Sequence, residues 1–198
     1  RFVYASSSMV YGDFHYNPAD ENHPTKPKEI YGTMKLAGEV ITRGLGGYYG
    51  INYSIIRPSA VYGPTDMNRR VSQIFIEKAI AGKTITVHGA DEALDFTFVE
   101  DAAQGFILAA TREAGIGETF NITYGKAQTL LQFVEELKQY FPDLTFKVIE
   151  RDAFRPKRGT LSIEKATKLL GYQPAFPLSA GIRELMNFAR QHHPLLSG

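Results

Sequence analysis

The chain has 198 residues, 43% of them apolar and 22% charged, enough to bury the core of one domain or slightly more, which excludes a disordered or fibrous protein. Lys plus Arg number 22 and Asp plus Glu 21, so a net charge of +1 gives no pull toward nucleic acid or an anionic membrane. The absence of Cys rules out disulfides, thiolate catalysis and cysteine zinc sites, and the longest apolar run, 105–110, is far short of the ~20 residues that span a bilayer. No metal, nucleic-acid or membrane partner is expected, and a cytoplasmic location is.

In chain order, Phe2 to Ala5 reads as a buried strand entered at once, with no Met and no lead-in. The chain is therefore expected to begin inside a fold. Ser6 to Gly12 leaves that strand, and His15 to Lys28, with three prolines, is a loop. From Ile30 the pattern is helical, and Gly46-Gly47 and Gly50 are expected to punctuate its end. Ile51 to Arg57 is a strand rich in β-branched and aromatic residues, followed by a loop from Pro58 to Asn68. Val71, Ile74, Phe75, Lys78 and Ala79 have helical spacing, and Thr84 to His88 is a short strand. Asp101 with Gln104 is expected to cap a helix running to Thr111. Thr119 to Thr123 is a strand. Thr129 with Gln132 forms a capping box ahead of an apolar stripe through Leu130, Phe133, Val134, Leu137 and Phe141. A strand over Thr145 to Ile149 precedes two helices, near Ser162 to Leu170 and Ser179 to Gln191, parted by the Pro174–Pro177 turn. Strands alternating with helices predict an α/β fold with a largely parallel sheet at the front and a smaller mixed lobe behind.

Tyr31 and Lys35 lie four apart in the first helix and so share one face. A phenol titrates near 10 in isolation, and a neighbouring ammonium favours its phenolate, which makes the pair a tunable proton donor and acceptor. Alone the spacing means little, since about 0.6 such pairs are expected by chance in this composition, and an ordinary helix-surface pair explains it as well. The cluster Ser6-Ser7-Ser8 directly after a strand adds weight, because hydroxyls at the carboxyl end of a parallel strand face the crevice where ligands bind. A second strand end, at Pro58-Ser-Ala-Val-Tyr-Gly-Pro64, has the same setting.

Six segments occur in a telling order: YASSSMVYGD, IYGTMKLAGE after two prolines, IIRPSAVYGP, GKTITVHG, DFTFVEDAAQG and LGY. Together they resemble the extended short-chain dehydrogenase/reductase family, within it the nucleotide-sugar epimerases and dehydratases, over almost the whole chain. The resemblance implies the rear part of a Rossmann-type doubly wound sheet over 1–115, with substrate-lobe segments interleaved at roughly 64–95, and mainly a substrate-binding lobe over 116–198. It implies that Ser7, Tyr31 and Lys35 are catalytic, and that Tyr31 and Lys35 also border the cofactor, Lys35 holding the nicotinamide ribose and lowering the pKa of Tyr31. Pro58 and Val61 would lie against the carboxamide. Ser8, Asn68, Arg69 and Arg70 would contact the nucleotide-sugar substrate, with Arg155 or Arg158 on its diphosphate. The implied cofactor is NAD, with NADP left open, and the implied assembly is a homodimer in which Val40, Ile41 and Leu45 cover part of the interface.

Departures from the family pattern refine this. The glycine-rich dinucleotide turn is absent from the sequence, and Leu94 stands where many members carry a diphosphate-binding Arg. Ser8 and Met9 occupy the positions of the Asp-Glu pair that dehydratases use, which disfavours dehydration and leaves a 4-epimerase working through a transient keto-sugar. A dehydrogenase of sugar nucleotides or hydroxy acids, or a noncatalytic nucleotide-sensing relative, is the alternative.

Overall fold

The computed structural model describes residues 1–68 and 70–192. Strands β1 (Phe2–Ala5), β2 (Tyr53–Pro58) and β7 (Thr119–Ile122) form a parallel sheet in the order β1-β2-β7. Tyr4 pairs with Ile55, and Arg57 with Asn121. The four central residues of β2 are all buried, as a strand covered on both faces requires. Helix α1 (Ile30–Tyr49) covers one face and meets Tyr4 and Tyr53. On the other face Ile56, Phe120 and Ile122 pack with Phe106 and Ala109 of α3 (Val99–Thr111) and with Ala166 and Leu170 of α5 (Glu164–Leu170). This doubly wound arrangement is the α/β fold that the alternation of elements predicts.

A second core gathers α2 (Val71–Ile80), α4 (Leu130–Lys138) and α6 (Leu178–His192) with the parallel pair β4 (Ile85–His88) and β9 (Phe146–Ile149). Its centre is aromatic: Tyr62 meets Phe96, Phe98 and Phe133 edge-on. Four two-residue strands lace this part: β3 (Val61–Tyr62) with β6 (Thr97–Phe98), and β5 (Ala93–Leu94) with β8 (Gln128–Thr129). The capping box at Thr129 and Gln132 forms as the sequence predicts.

Two sequence expectations are corrected. Helix α1 does not stop at Gly46 but runs to Tyr49 and closes on Gly50 in a left-handed conformation. Gly46 is instead a contact position, where a Cβ would fall 2.4 Å from the Tyr53 ring. Asp101 does not cap α3, whose N-cap is Phe98 with no side-chain bond. Its carboxylate accepts instead from the backbone N–H groups of Ala175 (2.7 Å) and Phe176 (3.0 Å), tying α3 to the segment entering α6.

Candidate active site

The first two turns of α1 carry Tyr31 and Lys35. Tyr31 is 45% exposed. The Lys35 ammonium donates to the carbonyl of Ala5 at 2.8 Å, at the carboxyl end of β1, and sits 5.6 Å from the Tyr31 ring centre and 5.7 Å from that of Tyr4. The chain leaving β1 turns at once into a short 3-10 segment, Ser8–Tyr11, capped by Ser7, whose Oγ accepts from the Met9 N–H at 3.2 Å. Ser7 and Ser8 are both buried.

Gly32 explains how close these parts come. A Cβ there would lie 2.5 Å from the Met9 carbonyl oxygen, so only glycine lets the turn that bears Tyr31 seat on the serine turn. The structure thus brings Ser7, Tyr31 and Lys35 to one corner of the sheet. Among the described residues no direct hydrogen bond joins Ser7 to Tyr31, and the Ser7 oxygen is engaged in its cap.

Pro58 ends β2 at the same end of the sheet, paired with Ile122. Val61 lies in β3 and lines, with Asp66, Asn68 and Arg70, a cleft of about 220 Å³. Asn68 and Arg70 are exposed, and Arg69 lies outside the described residues. Arg155 is exposed and reaches Asp152 at 3.5 Å. Arg158 differs. Its Nε is buried without a hydrogen-bond partner, and burial pushes the guanidinium down to about 10 against the pull of Glu92 and Glu29. Of these two carboxylates Glu92 pulls the harder, and Glu29 leads into α1, two residues before Tyr31. Leu94 is buried in the aromatic core.

The sequence reading passed over a buried polar network behind this corner. Glu39 accepts from Ser6 Oγ (2.5 Å), from Arg57 Nε (2.9 Å) and Nη2 (2.7 Å), and from Arg43 (3.0 Å). Arg57 Nη1 donates to the Tyr11 hydroxyl at 3.0 Å, which donates in turn to Asn121 Oδ1 at 2.7 Å. Burial pushes the Glu39 carboxyl up, but hydrogen bonds from Arg57, its charge, and bonds from Ser6 and Arg43 hold it net below the usual carboxylate range. The available signal was the register of Glu39, which follows Lys35 by one more helical turn.

Chemically, the corner offers an accessible phenol and an ammonium near its ring. A serine turn lies beside them.

Comparison with known proteins places the chain in a family. The model of the NAD dependent epimerase/dehydratase family matches residues 1–123. A putative UDP-glucose 4-epimerase of Methanocaldococcus jannaschii is 31% identical, over 98% of this chain and 64% of its own length. The crystal structure of a UDP-glucuronic acid 4-epimerase from Bacillus cereus, in complex with UDP-glucuronic acid and NAD, superposes with a TM-score of 0.89 at 27% identity, covering 96% of this chain and 61% of the other. An epimerase of Methanothermobacter thermautotrophicus gives a TM-score of 0.93 at 26% identity, over 100% and 61%. The chain thus spans about three-fifths of the length of these relatives.

Proposed function

Because the chain belongs to the NAD dependent epimerase/dehydratase family, we propose that Ser7, Tyr31 and Lys35 form the acid–base centre of a sugar-nucleotide 4-epimerase. The observation that carries this reading is the seating of the Tyr31–Lys35 turn on the serine turn, at the carboxyl end of a parallel strand.

The corner suits a nicotinamide nucleotide. Lys35 commits one of its three N–H bonds to Ala5, which leaves two for ribose hydroxyls. Pro58 and Val61 border the same end of the sheet and are assigned to the carboxamide side. When bound there, NAD supplies a reversible hydride acceptor. Tyr31, as phenolate, takes the proton from the sugar 4-hydroxyl and returns it at the end of the cycle. Lys35 keeps its ammonium 5.6 Å from the centre of that ring, and Ser7 holds the sugar oxygen through its hydroxyl proton. The diphosphate is assigned to Arg158, whose unpartnered buried Nε is a donor in search of an acceptor, with Arg155 at the rim. Ser8, Asn68, Arg69 and Arg70 are assigned to the rest of the nucleotide-sugar, and residues 64–95 and 116–198 mainly to the lobe that holds it, apart from β7 in the parallel sheet and α5 packed on it.

We further propose a homodimer through α1. Its exposed apolar residues Ile30, Met34, Ala37, Ile41, Leu45 and Tyr48 recur at spacings of four and three, a continuous stripe on a surface helix.

The test is turnover by the full-length protein with NAD and UDP-glucose. Interconversion with UDP-galactose and no net NADH is expected, with Tyr31→Phe slower by about 100-fold or more. Stoichiometric NADH would make the protein a dehydrogenase and overturn the epimerase reading.

A further inference from the structure

We infer that Glu39 and Arg57 are positioning residues for the Ser7–Tyr31–Lys35 centre, locking the serine turn and α1 into one register; this rests on the catalytic reading of that centre. Tyr31, Lys35 and Glu39 follow one another at i, i+4 and i+8 on α1, one stripe about 12 Å long at 1.5 Å per residue. Two successive turns of the helix grip two successive residues leaving β1. Lys35 holds the Ala5 carbonyl and Glu39 holds the Ser6 hydroxyl. The next residue is Ser7.

Arg57 closes the other side. Its Nε and Nη2 fork onto both oxygens of Glu39, which leaves Nη1 for the Tyr11 hydroxyl and, at 3.3 Å, the Glu21 carbonyl. The guanidinium also lies 4.8 Å from the centre of the Tyr11 ring. Tyr11 is the last residue of the short turn that Ser7 caps. One guanidinium therefore fixes both ends of the segment, Ser6 through Glu39 and Tyr11 directly. Ser7 lies between.

The pair does not touch substrate. The Glu39 side chain is fully buried and that of Arg57 is 4% exposed. A buried ion pair is seldom worth more to stability than apolar residues of the same volume, whereas a two-pronged guanidinium–carboxylate contact fixes orientation. The arrangement has the form of a register device. It sets where the Ser7 hydroxyl stands relative to the Tyr31 phenol, the quantity on which proton transfer within one site depends.

The test uses the full-length protein with NAD and a UDP-hexose. Its variants are Glu39→Gln, Arg57→Lys and Ser6→Ala, with Ile85→Val, a core change in the other half of the molecule, as stability control. Ser6→Ala leaves the buried ion pair intact, so it reports even if loss of the pair prevents folding. The expected result is a fall in kcat of about 100-fold for Glu39→Gln and Arg57→Lys and about tenfold for Ser6→Ala, with KM within about twofold. Amide exchange at Met9, which reports the Ser7 cap, should quicken and the Lys35 side-chain nitrogen signal should move in the same variants, and neither should change in Ile85→Val. The positioning role is overturned if the control loses as much kcat, if KM rises while kcat holds, or if the Met9 and Lys35 signals stay put. If the wild type converts no sugar nucleotide, the catalytic reading fails and the positioning role falls with it. An active wild type with unaffected variants sinks the positioning role alone.

Discussion

Ala60 stands at φ 39°, a left-handed backbone conformation that the alanine Cβ disfavours by roughly 1–2 kcal/mol. Glycine removes that strain at an entropic cost of roughly 0.5–1 kcal/mol. Ala60→Gly is therefore expected to raise stability by about 0.5–1 kcal/mol, read as a higher urea midpoint at unchanged slope. Arg158 gives two effects of opposite sign. Arg158 is half-buried and its Nε lacks a partner in the fold, so Arg158→Met removes an unsatisfied buried donor with little to lose and is expected to leave the protein as stable or more so. The same change should weaken UDP binding by calorimetry by about 10- to 100-fold, the loss of one charge-assisted hydrogen bond of roughly 1.5–3 kcal/mol. At this scale the sequence was readable where side chains repeat at fixed spacing, as for Tyr31 and Lys35, which it placed on one face of α1. It put Glu39 in register with Lys35 but was silent on its pairing with Arg57, because a contact across 18 residues of chain depends on how α1 lies on β2, which no local pattern encodes.

The long helix shows what periodicity can and cannot decide. Its existence and its first residue were plain, but a glycine at position 46 reads identically as a terminator or as a point of close approach, and only Tyr53 distinguishes the two. Asp101 is a similar case, since a carboxylate in the first turn of a helix suits a cap as well as it suits the amides of Ala175 and Phe176. Strands of two residues, such as β3 and β6, are shorter than any alternation that could announce them. The exposed stripe of α1 carries the prediction at this scale. Replacing Ile41 and Leu45 together by Asp in the full-length protein should convert the proposed dimer to monomer in sedimentation velocity, because two buried carboxylates without partners outweigh the apolar gain. Both side chains are solvent-exposed on the single chain, so its fold should survive the change.

Asp95 links segments from across the whole molecule. Its carboxylate accepts from Thr123 after β7, from the Gly125 amide and from the Leu161 amide, each at 3.1 Å. Burial pushes it up to about 6 from 3.8, although the Leu161 amide, the Thr123 hydroxyl and the Gly125 and Lys126 amides pull it back. The folded state thus binds this proton more tightly than the unfolded state. The stability it brings is full below about pH 4 and is lost as pH rises through about 6. The difference between 3.8 and about 6 corresponds to about 3 kcal/mol. The unfolding free energy of the wild type, measured against that of Asp95→Asn, should fall by this order between pH 4 and pH 7. A flat difference would refute the prediction. The parallel sheet has a further consequence, in time rather than in energy. Phe2 pairs with Tyr53 and Ile55 with Thr119, so neither pairing can form until a loop of some fifty to sixty residues has closed. Isolated α1 and α4 can form within microseconds, whereas the sheet must wait for those closures. The Glu39–Arg57 fork cannot exist before β2 docks on α1, so it arrives late. Contacts that form after the rate-limiting step leave the speed of folding alone and govern how long the folded molecule lasts. In a chevron plot, Arg57→Lys, which breaks that fork, should therefore steepen nothing and shift only the unfolding limb: the molecule would reach its native state as fast as before and leave it sooner.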